Sequence, residues 1–462
     1  MPVPAVIDND ARRELSEACG RNAVLTEPEH LEDYSRDETP GLAETPGAAV
    51  LPSCPGEVRA VLEVASRRGI PVTPRGTGTG LAGGAVPTPG GLVLGFERMN
   101  RIIELDEENL TVTVEAGAIT GNLREAVERK GLFYPPDPAS LESCSIGGNL
   151  ATNAGGPMAV KYGVTRSYLA GLEAVLAGGK TLTWGGKTRK NSTGYGLGHL
   201  LVGSEGTLAA ITRATLRLLP LPRRRLDLWA AFASARAAAD AVGRIRREGV
   251  DPAALELVGA ATANLLEEIE VFCPRRKGAE VYLLVELDGD EPDFEKAGGI
   301  LDETGALDIL VAETRPERER IWEARRKITE AIKAHSPDHS RQDIAVPPAA
   351  IPALLEGLEK LGGEGKTETA VFGHAGDGNL HVSLLRGDLA EGEWLERSAR
   401  LEAALLELAV ELGGVISGEH GIGLVKRKHL GRNYPGAGIP AMRAIKQALD
   451  PDGILNPGKV LP

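Results

Sequence analysis

Glycine decides what this chain can fold into, because it is concentrated and not spread. Of its 462 residues 58 are glycine, where an ordinary chain has about 7%. Five of them fall in the nine residues from Gly76 to Gly84. A tight surface turn accounts for one or two such residues, not five. Backbone without Cβ cover can turn successive N–H groups toward an anion. The loop Pro74, Arg75, Gly76, Thr77, Gly78, Thr79, Gly80, Leu81 therefore suits a pyrophosphate, with the two threonine hydroxyls as added donors and Arg75 as a cation.

The same stretch matches G-x-G-x-x-G from Gly78 to Gly83, but a Rossmann site needs a helix opening directly after those glycines. Pro87, Pro89, Gly90 and Gly91 forbid it. A second glycine-rich region holds S-I-G-G-N-L-A-T-N-A-G-G from Ser145 to Gly156 and G-S-E-G-T-L from Gly203 to Leu208. Its small residues let a flat ring approach the backbone, and Asn149, Thr152 and Asn153 offer polar groups to ring atoms. Pro135-Pro136-Asp137-Pro138 holds the preceding chain extended. Together the clusters form two walls for a long nucleotide cofactor.

Composition narrows the partners. Hydrophobic residues make up 42% and charged residues 25%, the balance of a globular chain with a sizeable core. Lys and Arg total 52 against 65 Asp and Glu, a net charge of −13. That field argues against nucleic acid or an anionic membrane as main partner. No apolar run approaches the roughly 18 residues of a spanning helix, and the opening residues lack the basic-then-apolar run of a secretion signal. Cys19, Cys54, Cys144 and Cys273 stand far apart without a C-x-x-C. An iron–sulfur cluster, a cysteine-rich zinc module and a disulfide framework are all unexpected, and the expected location is cytoplasmic, or at the inner face of a membrane through a partner.

Apolar spacing predicts helices over 10–20, 53–69 and 119–130, with strands at 48–52, 71–74, 92–96, 102–105 and 110–115. The prolines and arginines from Leu219 to Arg225 mark a boundary. Beyond it strands and helices alternate, the pattern of a sheet layered with helices. The expected division is 1–221, 222–412 and a C-terminal segment 413–462.

The second half carries the candidate chemistry. His374-Ala375-Gly376-Asp377-Gly378-Asn379-Leu380-His381 places two histidines seven apart. On one unbroken strand they would face opposite ways, but the Gly-Asp-Gly turn can bring them together. Glu419 and His420 stand in Ser417-Gly418-Glu419-His420-Gly421-Ile422-Gly423. Two His and one carboxylate suit a divalent metal such as zinc or manganese; a structural role for the histidines is the competing account. Arg325 and Thr329 are spaced i, i+4 and share a helix face.

Five motifs in order, P-R-G-T-G-T-G-L (74–81), P-P-D-P (135–138), I-G-G-N-L-A-T-N-A-G-G (146–156), G-S-E-G-T-L-A-A-I-T (203–212) and L-D-P-D-G-I-L-N-P-G-K (449–459), make the chain resemble the FAD-linked oxidases of the vanillyl-alcohol oxidase superfamily. It is similar above all to glycolate oxidase flavin subunits, D-lactate dehydrogenases and D-2-hydroxyglutarate dehydrogenases, over nearly its whole length. The resemblance implies an α+β fold: a two-subdomain FAD-binding domain with a ferredoxin-like α+β substrate, or cap, domain. It places Arg75 to Leu81 on the FAD pyrophosphate. Pro136, Asp137, Ser145, Gly147, Gly148, Asn149, Ala151, Thr152 and Gly155 would flank the cofactor, as would Glu205, Gly206 and Ile211, with Asn456 near the ring. The glycine loop has no His or Cys for a covalent link, so FAD is expected to be non-covalent, Cys144 being the residue to check.

The resemblance further implies His374, His381 and Glu419 as metal ligands, His420 as catalytic base, and Arg325, Thr329 and Arg341 as substrate contacts. The expected reaction oxidises a small D-2-hydroxy acid, D-lactate or glycolate first, with hydride passing to FAD N5. A partner would carry electrons onward: an iron–sulfur subunit, an electron-transfer flavoprotein or a quinone. Two alternatives stay open, a non-catalytic FAD-binding accessory subunit and a metal-dependent hydrolase with a nucleotide-binding domain.

Overall fold

A computed structural model of the chain describes residues 7–289, 293–365 and 367–462. It divides into two compact units. One runs through Gly155 and takes in Val164–Leu221 and His420–Pro462; the other comprises Gly156–Gly163 and Pro222–Glu419. Two stretches group differently from the expected division. Residues 156–163 join the second unit and not the first, and that unit continues past 412 to Glu419. The first difference has a visible cause: Lys161 Nζ lies 2.8 Å from Asp288 Oδ1 and Tyr162 donates to Asp288 Oδ2 at 2.7 Å.

In the first unit two sheets form two α+β subdomains. Val24–Leu25, Ala48–Val50, Leu92–Gly95 and Val72–Arg75 lie side by side in that order, the last three mutually parallel. Pro55–Arg68 buries Val58, Val61, Leu62, Val64 and Ala65 and ends at left-handed Gly69, the usual way to close a helix. The second sheet is antiparallel throughout: Ile102–Asp106, Thr111–Glu115, Ala210–Arg217, Leu169–Val175 and Thr181–Gly185. The strand expected from Leu110 starts one residue later because Leu110 has φ 51°. The tail contributes a single bridge, Leu455 beside Val72.

The second unit is one antiparallel sheet of seven strands: Ala306–Ala312, Arg224–Phe232, Val281–Gly289, Ala254–Gly259, Thr369–His374, Asn379–Leu385 and His339–Ala345. With helices Ala235–Arg247 and Phe294–Glu303, the first four strands make a β-α-β-β-α-β unit in spatial order fourth, first, third, second. This is the ferredoxin-like arrangement, and the other three strands extend its edge. Helix Arg315–His335 packs Ile321, Ala324, Ile328, Ala331 and Ile332 onto Trp229, Val258, Tyr282, Leu284 and Phe372. Arg325 and Thr329 stand beside that apolar stripe. No helix among the described residues is long and apolar enough to cross a membrane.

Candidate functional site

The glycine loop leaves the end of strand Val72–Arg75 and is packed too closely to admit side chains. A Cβ on Gly76 would run into Ser145 Oγ, and one on Gly78 into the Arg75 guanidinium. The Thr77 hydroxyl is buried with no partner among the described residues, as expected of a donor kept for a ligand. Arg75 does something other than offer a cation to phosphate. Its guanidinium donates to the carbonyls of Arg36 at 2.7 Å and Asp33 at 3.0 Å, lies over the Tyr34 ring and is 7% exposed. It ties the loop's base to residues 33–36.

The second wall also differs from its expectation. Ile146–Thr152 is a short helix capped by Ser145, whose Oγ accepts from Gly148 N at 3.3 Å. Inside it Asn149 donates to Thr120 Oγ1 at 2.7 Å and Thr152 to Gly148 O at 3.2 Å. These side chains brace the helix and leave small-residue backbone at Gly147, Gly148 and Ala151 partly exposed, while Gly155 is buried. Gly147 is close enough to Ala116 that a Cβ would sit 2.8 Å from the alanine methyl. Pro136 is buried and Asp137 half-buried. Cys144 is 3% exposed and its thiol donates to Thr120 Oγ1 at 3.4 Å.

Asn456 arrives from the tail with φ 42°. Its amide donates to Gly84 O at 2.9 Å and Glu205 O at 2.8 Å, while its Oδ1 is buried without a partner among the described residues. A bare glycine loop, an unpartnered Thr77 hydroxyl and an unpartnered Asn456 oxygen fit a dinucleotide-sized cofactor with phosphate and hydrogen-bonding ring edges. The Glu205 carboxylate is engaged by backbone: it accepts from Ile422 N at 2.8 Å and Gly423 N at 2.9 Å, and burial pushes its carboxyl up to about 7. Gly206 packs on Pro74, and Ile211 is 8% exposed on its strand.

In the second unit the ladder explains the histidines. His374 pairs with Asn379 and Phe372 with His381 across the hairpin, so both imidazoles emerge on one face, two positions apart along the strands. Glu419 joins them: Oε1 lies 3.3 Å from His381 Nε2 and Oε2 3.7 Å from His374 Nε2. One ligand atom from each of the three falls within 4.8 Å of the others, and two imidazoles with a carboxylate are the donor chemistry of a divalent ion. His374 and His381 are 4% and 5% exposed, so their rings meet protein groups and not bulk water.

Two carboxylates that the sequence did not nominate hold this group. Glu256 pairs in register with His374; its Oε1 is 2.6 Å from His374 Nδ1 and its Oε2 accepts from Arg325 Nε at 2.7 Å. Asp343 takes Asn379 Nδ2 at 2.7 Å on one oxygen, and on the other Ser417 Oγ and the amides of Gly418 and Glu419, each at 3.0 Å. A Cβ on Gly418 would fall on the Asn379 amide, which is why the segment needs glycine there. The charges reinforce one another. Burial opposes ionisation of Glu256, but His374 and Arg325 hold its carboxyl down at about 2. Burial likewise opposes a charged His374, yet Glu256 and Glu419 lift it well above the ordinary imidazole range. Burial keeps His381 below that range, and the two imidazoles hold Glu419 well below the usual carboxylate range against its burial.

The two expected substrate cations differ. Arg325 is committed to Glu256 through both Nε and Nη2, each at 2.7 Å, over the face of Phe372. Arg341 donates through Nη2 to Thr329 Oγ1, and its Nε is buried with no partner among the described residues. His420 follows Glu419 directly, is half-buried and belongs to the first unit. A charged residue within an apolar strand, Glu256 in A-L-E-L-V, was the available signal for the first missed carboxylate. The role of Asp343 depends on residues 36 to 76 positions away and left no local trace.

Comparisons agree with this architecture. Residues 221–460 match the FAD linked oxidases, C-terminal domain, and residues 46–185 the FAD binding domain. The chain is 40% identical to glycolate oxidase subunit GlcD of Bacillus subtilis, over 98% of this chain and 97% of that one. It is 42% identical to D-lactate dehydrogenase of Archaeoglobus fulgidus (93% and 95%) and 35% identical to D-2-hydroxyglutarate dehydrogenase of Xanthomonas citri pv. viticola (96% of each). Its fold is similar to that of p-cresol methylhydroxylase with substrate bound, TM-score 0.80 at 18% identity over 98% of this chain and 96% of that one. An α+β cofactor unit, a ferredoxin-like second unit and matches over both halves lead to one assignment: the chain belongs to the FAD-linked oxidases.

Proposed function

We propose that this FAD-linked oxidoreductase is a dehydrogenase of a small D-2-hydroxy acid, D-lactate or glycolate in the first place, yielding the 2-oxo acid. The observation that carries the reading is the convergence of His374, His381 and Glu419 donor atoms within 4.8 Å, in a chain whose relatives are named for glycolate, D-lactate and D-2-hydroxyglutarate. When bound, FAD supplies the two-electron acceptor and a divalent cation, zinc or manganese, the Lewis acidity that favours the alkoxide.

The chain's own residues do the rest. Thr77, the bare backbone of residues 76–80, Gly147, Gly148 and Asn456 would hold FAD without a covalent bond. His374, His381 and Glu419 would hold the cation, oriented by Glu256 and Asp343. Arg341, with Thr329 beside it, would take a substrate carboxylate oxygen. Arg325 would act mainly through Glu256. His420, chain-adjacent to a ligand, would accept the hydroxyl proton on its imidazole, a step general bases accelerate by about 10²–10⁴-fold. Cys19, Cys54, Cys144 and Cys273 are separate free thiols, so electrons would pass from this chain to a partner: an iron–sulfur subunit, an electron-transfer flavoprotein or a quinone.

The test is a spectrum. Purified protein should show a flavin band that bleaches anaerobically with D-lactate or glycolate, not with L-lactate, and bleaching should weaken after chelation and return with added metal. A protein that takes up no FAD, or a flavin untouched by every 2-hydroxy acid offered, would overturn the reading.

A further inference from the structure

Residues 420–423, His-Gly-Ile-Gly, lie in neither a helix nor a strand, so no ladder fixes the backbone that carries His420. A buried carboxylate fills that place. Glu205 accepts from Ile422 N on Oε1 at 2.8 Å and from Gly423 N on Oε2 at 2.9 Å. Gly421, between His420 and Ile422, has φ +84° and approaches so closely that a Cβ would come 2.9 Å from the Glu205 carboxyl carbon. The three residues after His420 thus fold around one side chain. One residue further on, Leu424 N donates to Ala82 O at 2.8 Å.

Glu205 is itself immobilised. It is 8% exposed and has φ 52°; its N–H donates to Ala151 O at 2.8 Å and its carbonyl accepts from Asn456 Nδ2 at 2.8 Å. Lys459, 4% exposed, supplies a nearby positive charge. A side chain fixed at both backbone ends, with each oxygen given to a separate amide, is built to hold a segment in place and not to meet a soluble ligand.

We propose that Glu205 is a positioning residue for His420, fixing the imidazole through the backbone of residues 421–423; the inference rests on His420 being the base of the proposed reaction. Two opposed N–H donors need two acceptors. In Glu205→Gln one oxygen remains an acceptor while the amide NH₂ confronts the other backbone N–H, so the segment must shift. A shift near 1 Å in a reacting group costs up to about 10²-fold in rate.

The experiment uses the FAD-loaded full chain. E205Q should keep its flavin band and its KM for the hydroxy acid within about twofold, while kcat and the anaerobic flavin-reduction rate fall at least about tenfold. A second readout needs no substrate: with ¹³C-labelled histidine, the signal identified as His420 by its absence from H420A should move or broaden in E205Q while the others stay. Full turnover with an unmoved His420 signal would overturn the proposal, as would loss of flavin from a folded E205Q, which would return Glu205 to the cofactor. If wild type fails to bleach with any 2-hydroxy acid, the proposed function falls, and the His420 signal in E205Q still decides whether Glu205 positions that imidazole.

Discussion

Oε1 of Glu256 stands 2.6 Å from Nδ1 of His374. That contact fixes the ring and turns Nε2 toward Glu419, 3.7 Å from its carboxylate, the orientation a metal-binding imidazole needs from a neighbouring carboxylate. Glu256→Gln should weaken metal binding by about 10–100-fold and leave FAD in place. Dialysis against graded chelator, followed by metal analysis, measures it. Wild-type metal retention in the variant would show that Glu256 serves Arg325 alone.

His420→Ala tests the base directly. The alanine removes no metal donor of the group His374, His381 and Glu419, so flavin and metal content should match wild type. Turnover should fall by about 10²–10⁴-fold. Undiminished flavin bleaching by substrate would remove His420 from the chemistry.

Arg325 and Arg341 should separate into structural and substrate-facing cations. Arg325→Met leaves Glu256, which is fully buried, with His374 but without its guanidinium, and removing one partner of a buried ion pair costs up to about 3–5 kcal/mol; urea unfolding should show it. Arg341→Met removes a guanidinium whose Nε has no partner among the described residues. Its loss should raise KM for the hydroxy acid by roughly 10–100-fold, the worth of one charged hydrogen bond, with a much smaller effect on stability. Equal destabilisation by both variants would deny the distinction.

What the sequence made legible was local. The spacing of Val58, Val61, Leu62 and Ala65 located Pro55–Arg68 within two residues at its start, and the Gly-Asp-Gly break between His374 and His381 announced a hairpin. Roles assigned by distant partners were not legible. Arg75 sits in a phosphate-like loop, yet its donors go to carbonyls 39 and 42 positions away. Ser145 to Gly156 has the glycine content of a loop, but Ile146–Thr152 within it forms a helix, because Ser145 caps it and Asn149 finds Thr120 29 positions away. Hydrogen-bond partners of buried polar groups are set by the assembled sheets, and no window of neighbouring residues contains them.

Asp227 and Glu286 face each other in register across two central strands, with 0% and 3% exposure; like charges so placed oppose folding. Burial, with Glu286 opposite, pushes Asp227 up to about 8, while Arg318, Trp322 and Arg225 draw it down only in part. An unfolded aspartate releases its proton near ~4. Between these values the folded chain keeps a proton that the unfolded chain has lost, so stability falls as pH rises through that window. Asp227→Asn carries no such proton. It should therefore gain on wild type as pH rises from about 4 to about 8, by an amount on the order of a few kcal/mol, and converge with it in acid. Thermal unfolding at a series of pH values measures the difference, and parallel curves for the two proteins would mean that Asp227 ionises normally in the fold.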